Sequence, residues 1–113
     1  MRAAPITTDG EFIYMIATYK KRWSDFASRF VVEVYQLSDD NDLERIKEIT
    51  LYKEDGTSHF IGSDRLWNEP EEGGYLNHCS TFTNGSMFAL LGPKYYHTFD
   101  LNNGKRVGKN YLG

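Results

Sequence analysis

Four groups of residues in this chain have types that could do chemistry. Asp39-Asp40-Asn41-Asp42 gathers oxygens of the kind a hard cation binds. Glu44 stands where a calcium-binding EF-hand loop needs its glycine, so the run reads as a solvated hairpin turn. His78 and Cys79 are adjacent, with His59 and His97 elsewhere, and none of them has the two- to four-residue ligand spacing of structural zinc. Cys79 or Ser80 beside His78 would suggest a nucleophile and its base. Consecutive residues of a strand point to opposite faces, however, and cannot meet. Glu69, Glu71 and Glu72 pair carboxylates within polar, Gly-rich flanks, where little desolvation is available to raise one pKa. No catalytic constellation, metal site or cofactor site follows from these residues, and the enzyme reading is not favoured.

The remaining group is a contact site rather than a reactive one. Lys20, Lys21 and Arg22 stand beside Trp23, and three cations next to an indole suit an acidic peptide or a phosphate. The same four residues also read as a solvated loop with Trp23 folded onto a sheet edge.

The elements that would carry these residues are strands. Ile6-Thr7-Thr8 precedes the turn dipeptide Asp9-Gly10, and Phe12–Tyr19 is apolar on both parities, as expected of a central strand covered on both faces. Residues 20–29 form a long connection. Phe30–Leu37 is rich in β-branched and aromatic residues, and its polar interruptions Glu33 and Gln36 fall on opposite parities, as in a half-covered strand. Leu43–Tyr52 carries Leu43, Ile46 and Ile49 at helix-like spacing, yet it follows a hairpin-type turn and ends in strand formers; an outer strand is expected, with a short helix as the alternative. Lys53–Asn77 is polar and punctuated by Asp55-Gly56, Pro70 and Gly73-Gly74. A Gly turn, an apolar strand over Met87–Leu91, a Gly-Pro break and an aromatic strand over Tyr95–Leu101 follow. Asn102-Asn103-Gly104 should then make a tight hairpin with Gly104 at positive φ. Tyr95 and Tyr96 should divide between core and solvent by parity.

Composition agrees with an all-β chain. Aromatics are 15% of residues while mean hydropathy is −0.58, which suits short aromatic strands between polar loops. A net charge of −3 gives no basic field to attract nucleic acid. A single cysteine allows no internal disulfide, no secretory signal opens the sequence, and no apolar run approaches a membrane span. A cytoplasmic protein with neither nucleic-acid nor membrane partners is expected.

The chain repeats itself. Thr8-Asp9-Gly10-Glu11-Phe12-Ile13-Tyr14-Met15-Ile16 aligns with Thr83-Asn84-Gly85-Ser86-Met87-Phe88-Ala89-Leu90-Leu91, and Val34-Tyr35-Gln36-Leu37 with Thr98-Phe99-Asp100-Leu101. Phe12, Tyr14, Ile16 and Phe88, Leu90 are expected to be core positions equivalent between the two units. Residues 1–53 form a first antiparallel meander, 54–74 an inserted polar segment and 75–113 a second meander. Each unit resembles a four-stranded blade of a β-propeller, kelch-like or WD-like in the loose sense. Gly73-Gly74 lies before the second unit instead of ending its second strand, where the kelch pattern has its double glycine, and no Gly-His…Trp-Asp pair occurs. The resemblance implies two consecutive blades, of a kind also found inside very large intracellular scaffolds such as giant ubiquitin ligases.

A propeller typically has about 4–8 blades, so two must meet further blades or other protein chains. The expected function is non-catalytic protein interaction or scaffolding. A propeller-fold hydrolase, with Asp9 and Asn84 at inner-strand ends, and a stand-alone β-sandwich binding domain are the alternatives.

Overall fold

The computed structural model describes residues 6–20, 27–58, 80–92 and 95–112, with the side chains of 18–20 and 27–29 left aside. Eight strands form two antiparallel four-stranded sheets, and no helix occurs among the described residues. The first sheet holds β1 (Ile6–Thr8), β2 (Ile13–Lys20), β3 (Ala27–Leu37) and β4 (Leu43–Thr50) in sequence order; the second holds β5 (Ser80–Thr83), β6 (Met87–Leu91), β7 (Tyr95–Asp100) and β8 (Arg106–Tyr111), likewise in sequence order. Each sheet is thus a meander in which every strand pairs with its chain neighbour, and the all-β reading holds.

Local chemistry explains the individual elements. β2 lies between β1 and β3, as its unbroken apolar run requires, but its two faces are not equally covered: Tyr14 and Ile16 are buried while Ile13, Met15 and Ala17 are half-buried. β3 buries Phe30, Val31 and Val32 in succession and then alternates. β4 forms as a strand. Leu43 and Ile46 are both exposed, so the helix-like spacing of Leu43, Ile46 and Ile49 does not mark a buried face. Its charged residues Glu44, Arg45, Lys47 and Glu48 suit an outer strand, where they discourage edge-to-edge pairing. The run Asp39–Asp42 is an exposed turn: the Asn41 N–H donates to the Ser38 carbonyl at 3.0 Å, and Asn41 takes a positive φ of 63°.

The two sheets match strand for strand. Thr8 pairs with Ile13 and Thr83 with Phe88; Tyr14 pairs with Val34 and Ala89 with Thr98. The ladder slips between Val34 and Tyr35 in the first sheet and between Thr98 and Phe99, the corresponding residues, in the second. These registers place Tyr35 at the position of Phe99, Glu33 at His97, Arg45 at Arg106 and Leu51 at Leu112.

The core lies between the sheets. Tyr14, Ile16, Phe30, Val32, Val34 and Leu51 from the first pack with Phe88, Leu90, Phe99 and Leu101 from the second, with Phe12 and Ile49 against the cluster. Tyr14, Ile16, Phe88 and Leu90 are therefore core residues and Phe12 a partly buried one, but they do not occupy corresponding positions. Tyr14 and Ile16 correspond to Ala89 and Leu91, while Phe88 and Leu90 correspond to Ile13 and Met15. Side chains alternate faces along a strand. The first sheet thus buries one face of the shared pattern and the second sheet buries the other.

Backbone contacts tie the sheets together at two places. β1 lies against β5. Beyond β4, the Tyr52 N–H donates to the Gly104 carbonyl at 2.8 Å, and the Arg106 N–H donates to the Tyr52 carbonyl at 2.7 Å. The turn after β7 is closed by the Gly104 N–H on the Asp100 carbonyl at 2.6 Å. Gly104 has φ 77°, as the Asn102-Asn103-Gly104 sequence predicts.

Candidate interaction surfaces

Three places in the fold gather groups that could recognise or react, and two of them prove to be structural. The first is the paired turns at one end of β1 and β5. Asp9 Oδ1 accepts the N–H groups of Glu11 at 2.9 Å and Phe12 at 2.8 Å. Asn84 Oδ1 accepts those of Ser86 and Met87, both at 2.9 Å. Thr8 and Thr83 complete the same arrangement, each hydroxyl accepting the N–H of the turn glycine and donating to the carbonyl four residues on. Asp9 differs in one respect: its Oδ2 also accepts the Tyr14 hydroxyl at 2.8 Å. The backbone donors of Phe12 and Glu11, with Tyr14 behind them, hold the Asp9 carboxyl below its ordinary range. Burial, reinforced by the Asp9 carboxylate, pushes the Tyr14 phenol up to about 12. An ionised carboxylate already occupied by three donors anchors a turn. The hydrolase alternative draws no support from it.

The second place is the buried Arg106, whose side chain is 2% exposed. Its guanidinium meets the Glu54 carboxylate through Nε and, at 3.0 Å, through Nη2, so a residue following the first sheet neutralises a cation rooted in the second. His97 is also buried, with Nδ1 at 3.4 Å from Arg106 Nη1. The pair is buried on one side only, since the Glu54 side chain is 60% exposed, and it clamps the segment after β4 to the start of β8. Arg45, at the corresponding position, points away from the interface, is half exposed and pairs with Glu33 at 2.8 Å and Glu48 at 3.5 Å.

The third place is the pair of outward faces, and here apolar surface is left open. On the first sheet Ile6 and Leu37 are exposed beside half-buried Ile13, Met15 and Tyr35, while Val31 at the far end of the same face is fully buried. On the second, Phe82 and Leu91 are exposed beside Ala89, and an open hollow of about 310 Å³ is lined by Phe82, Thr83, Asn84, Met87 and Ala89. A smaller hollow of about 260 Å³ lies between Tyr52, Gly56, Asn103 and Lys105. Contiguous apolar patches on an otherwise polar surface mark contact sites.

Lys20 ends β2, where its backbone pairs with Ala27, and its side chain is not described. Lys21, Arg22 and Trp23 lie outside the described residues, as do His59, Glu69, Glu71, Glu72, His78 and Cys79. No group of three or more His, Cys, Asp or Glu able to hold a metal ion, and no helix long and apolar enough to cross a membrane, occurs among the described residues. Tyr95 and Tyr96 are both half-buried instead of dividing between core and solvent. Tyr95 packs on Tyr111, with ring centroids 5.2 Å apart and the Lys109 ammonium over its ring, while the buried places in the strand go to His97 and Phe99. Sequence reasoning missed the Arg106–Glu54 clamp, because the two residues are far apart in the chain and meet only through the stacking of the sheets. Comparison with protein-family models, with curated proteins and with solved structures found no match.

Proposed function

We propose that the chain is a pair of consecutive β-propeller blades, two copies of one repeat, serving as a non-catalytic protein-interaction or scaffolding segment of a larger cytoplasmic protein or assembly. The observation that carries the reading is the use of opposite faces. Units related by a two-fold axis pack like face on like face, whereas units repeated around a ring set the front of one against the back of the next. Here the Tyr14–Ile16 face of the first sheet meets the Phe88–Leu90 face of the second, whose counterparts Ile13 and Met15 look the other way. The adjacency of β1 and β5 also supports it, since inner strands converge at a propeller axis.

An interaction role follows from the parts of the outward faces left open. On the first sheet Val31 is already fully buried on the outward face, while Ile6 and Leu37 farther along it are exposed, and apolar surface of this kind calls for a neighbour. A photo-cross-linking residue placed at Leu37 or at Phe82 in the cell should yield adducts to identifiable protein sequences, with the exposed turn residue Asp39 as the background control. Yields at both faces no higher than at Asp39 would contradict the reading.

A further inference from the structure

We propose that the outward face of the second sheet docks onto the outward face of the first sheet of another copy of this chain, so that the protein assembles head to tail by repeating the contact it already makes inside itself. The inference rests on the reading of the two sheets as successive repeats and adds the identity of the occupant.

Each open face is the counterpart of a face that the chain already buries. On the first sheet, Ile13, Met15, Tyr35 and Leu37 stand where the second sheet has Phe88, Leu90, Phe99 and Leu101, all four of which lie in the core. Leu37 is 58% exposed and Leu101 6%. On the second sheet, Ala89 and Leu91 stand where the first has the buried Tyr14 and Ile16. Leu112, 51% exposed, follows β8 as the fully buried Leu51 follows β4. Two such faces, one from each of two copies, occupy the positions of the two halves of the existing interface, with Tyr96, Thr98 and Asn110 where the first sheet has Val32, Val34 and Ile49.

The charges fit the same docking. Inside the chain, Arg106 is neutralised from across the interface by Glu54, and the ladder positions beside it are His97 and Lys109. At the corresponding places around Arg45 stand Glu33 and Glu48, which neutralise it from within its own sheet. The first sheet's outward face therefore needs no carboxylate from its partner. The second sheet's outward face brings none at its centre, where Phe82, Ala89, Thr98 and Gly108 lie side by side across the four strands. A contact between unlike faces is heterologous and closes into a ring where the rotation allows. At two blades per copy and about 4–8 blades per propeller, about two to four copies would complete one.

Sedimentation of the 113-residue protein, alone and as two variants, tests this. Phe82→Lys blocks the second sheet's face and Leu37→Lys the first sheet's, and because both side chains are more than half exposed the fold should survive. Circular dichroism checks that it does, and Ile6→Lys with Leu112→Lys is a second pair at sites that are also more than half exposed. Wild type should shift with concentration from one chain to a discrete multiple. Each variant should remain a single chain, and an equimolar mixture of the two should form a 1:1 dimer through the remaining intact faces. A wild-type monomer at every concentration, self-association of either variant, or a mixture that stays monomeric would overturn the head-to-tail contact. If cross-links to other proteins from Leu37 and Phe82 persist with a monomeric wild type, the interaction-module reading stands and only the self-docking fails.

Discussion

Gly104 sits so close to Thr50 that a Cβ added to it would fall inside the van der Waals envelope of the Thr50 carbonyl oxygen. The glycine therefore serves twice: it supplies the positive φ of the hairpin between β7 and β8, and it lets that hairpin touch the end of β4 in the other sheet.

Gly10 provides the control for that double role. It too has a positive φ, 97°, but an added Cβ meets nothing within 4 Å. Gly10→Ala should cost about 1 kcal/mol from backbone conformation alone. Gly104→Ala must also push two backbones apart and should cost on the order of 3 kcal/mol or more. Urea denaturation of the two variants measures the difference; equal costs would mean that the close approach of hairpin and strand is not tight.

Leu101 and Leu37 occupy corresponding positions with opposite burial. Leu101→Ala should destabilise by about 2–5 kcal/mol as a truncated core residue. Leu37→Ala should change the stability of dilute protein by no more than about 0.5 kcal/mol, as at an ordinary surface site. Chemical denaturation of both variants at low concentration checks the pair.

Much of this architecture was legible from the chain. Asp9-Gly10, Asn84-Gly85 and Asn102-Asn103-Gly104 announce turns through residues that tolerate positive φ or fold a side-chain oxygen onto the backbone, and the apolar runs beside them read as strands, with a helix left open for Leu43–Tyr52 alone. The buried residues Tyr14, Ile16, Phe88 and Leu90 were named correctly, but that the two strands bury opposite faces of the shared pattern was not legible. Ile13-Tyr14-Met15-Ile16 offers apolar residues to both sides, so the choice is made by the neighbouring sheet. For the same reason the repeat suggested matching core positions where the fold uses alternating ones. The Arg106–Glu54 contact was hidden as well, since neither residue lies in a local motif. Lys21, Arg22 and Trp23 remain a sequence-level candidate.

The turn at Asp9 makes stability depend on acid. Its carboxyl pKa is lowered in the folded state from an ordinary 3.8, chiefly by the Phe12 and Glu11 N–H groups. The folded state thus holds its proton less readily than the unfolded one, and the contribution is present above the ordinary pKa and lost as pH falls through the folded value. Asn84 makes the same backbone bonds without a charge, so Asp9→Asn should keep the turn while wild type loses stability relative to it below about pH 4. Thermal melts of both proteins across that range measure the difference.

Tyr14 has the opposite sign at the alkaline end. Its pKa is raised from 10.0 to about 12, so its contribution is complete below pH 10 and lost as pH rises toward 12. Stability of wild type relative to Tyr14→Phe should fall across that window, and parallel curves would show that burial and the Asp9 contact do not hold the phenol neutral.

The central claim is that the two sheets stack front to back, and inter-sheet proton contacts in solution test it most directly. With methyl and aromatic groups assigned by nuclear magnetic resonance, nuclear Overhauser effects should join Ile16, Val32 and Leu51 of the first sheet to Phe88, Leu90 and Phe99 of the second. Effects running instead from Ile13 and Met15 to Phe88 and Leu90, the same face on both sides, would contradict front-to-back stacking and with it the reading of the sheets as successive blades.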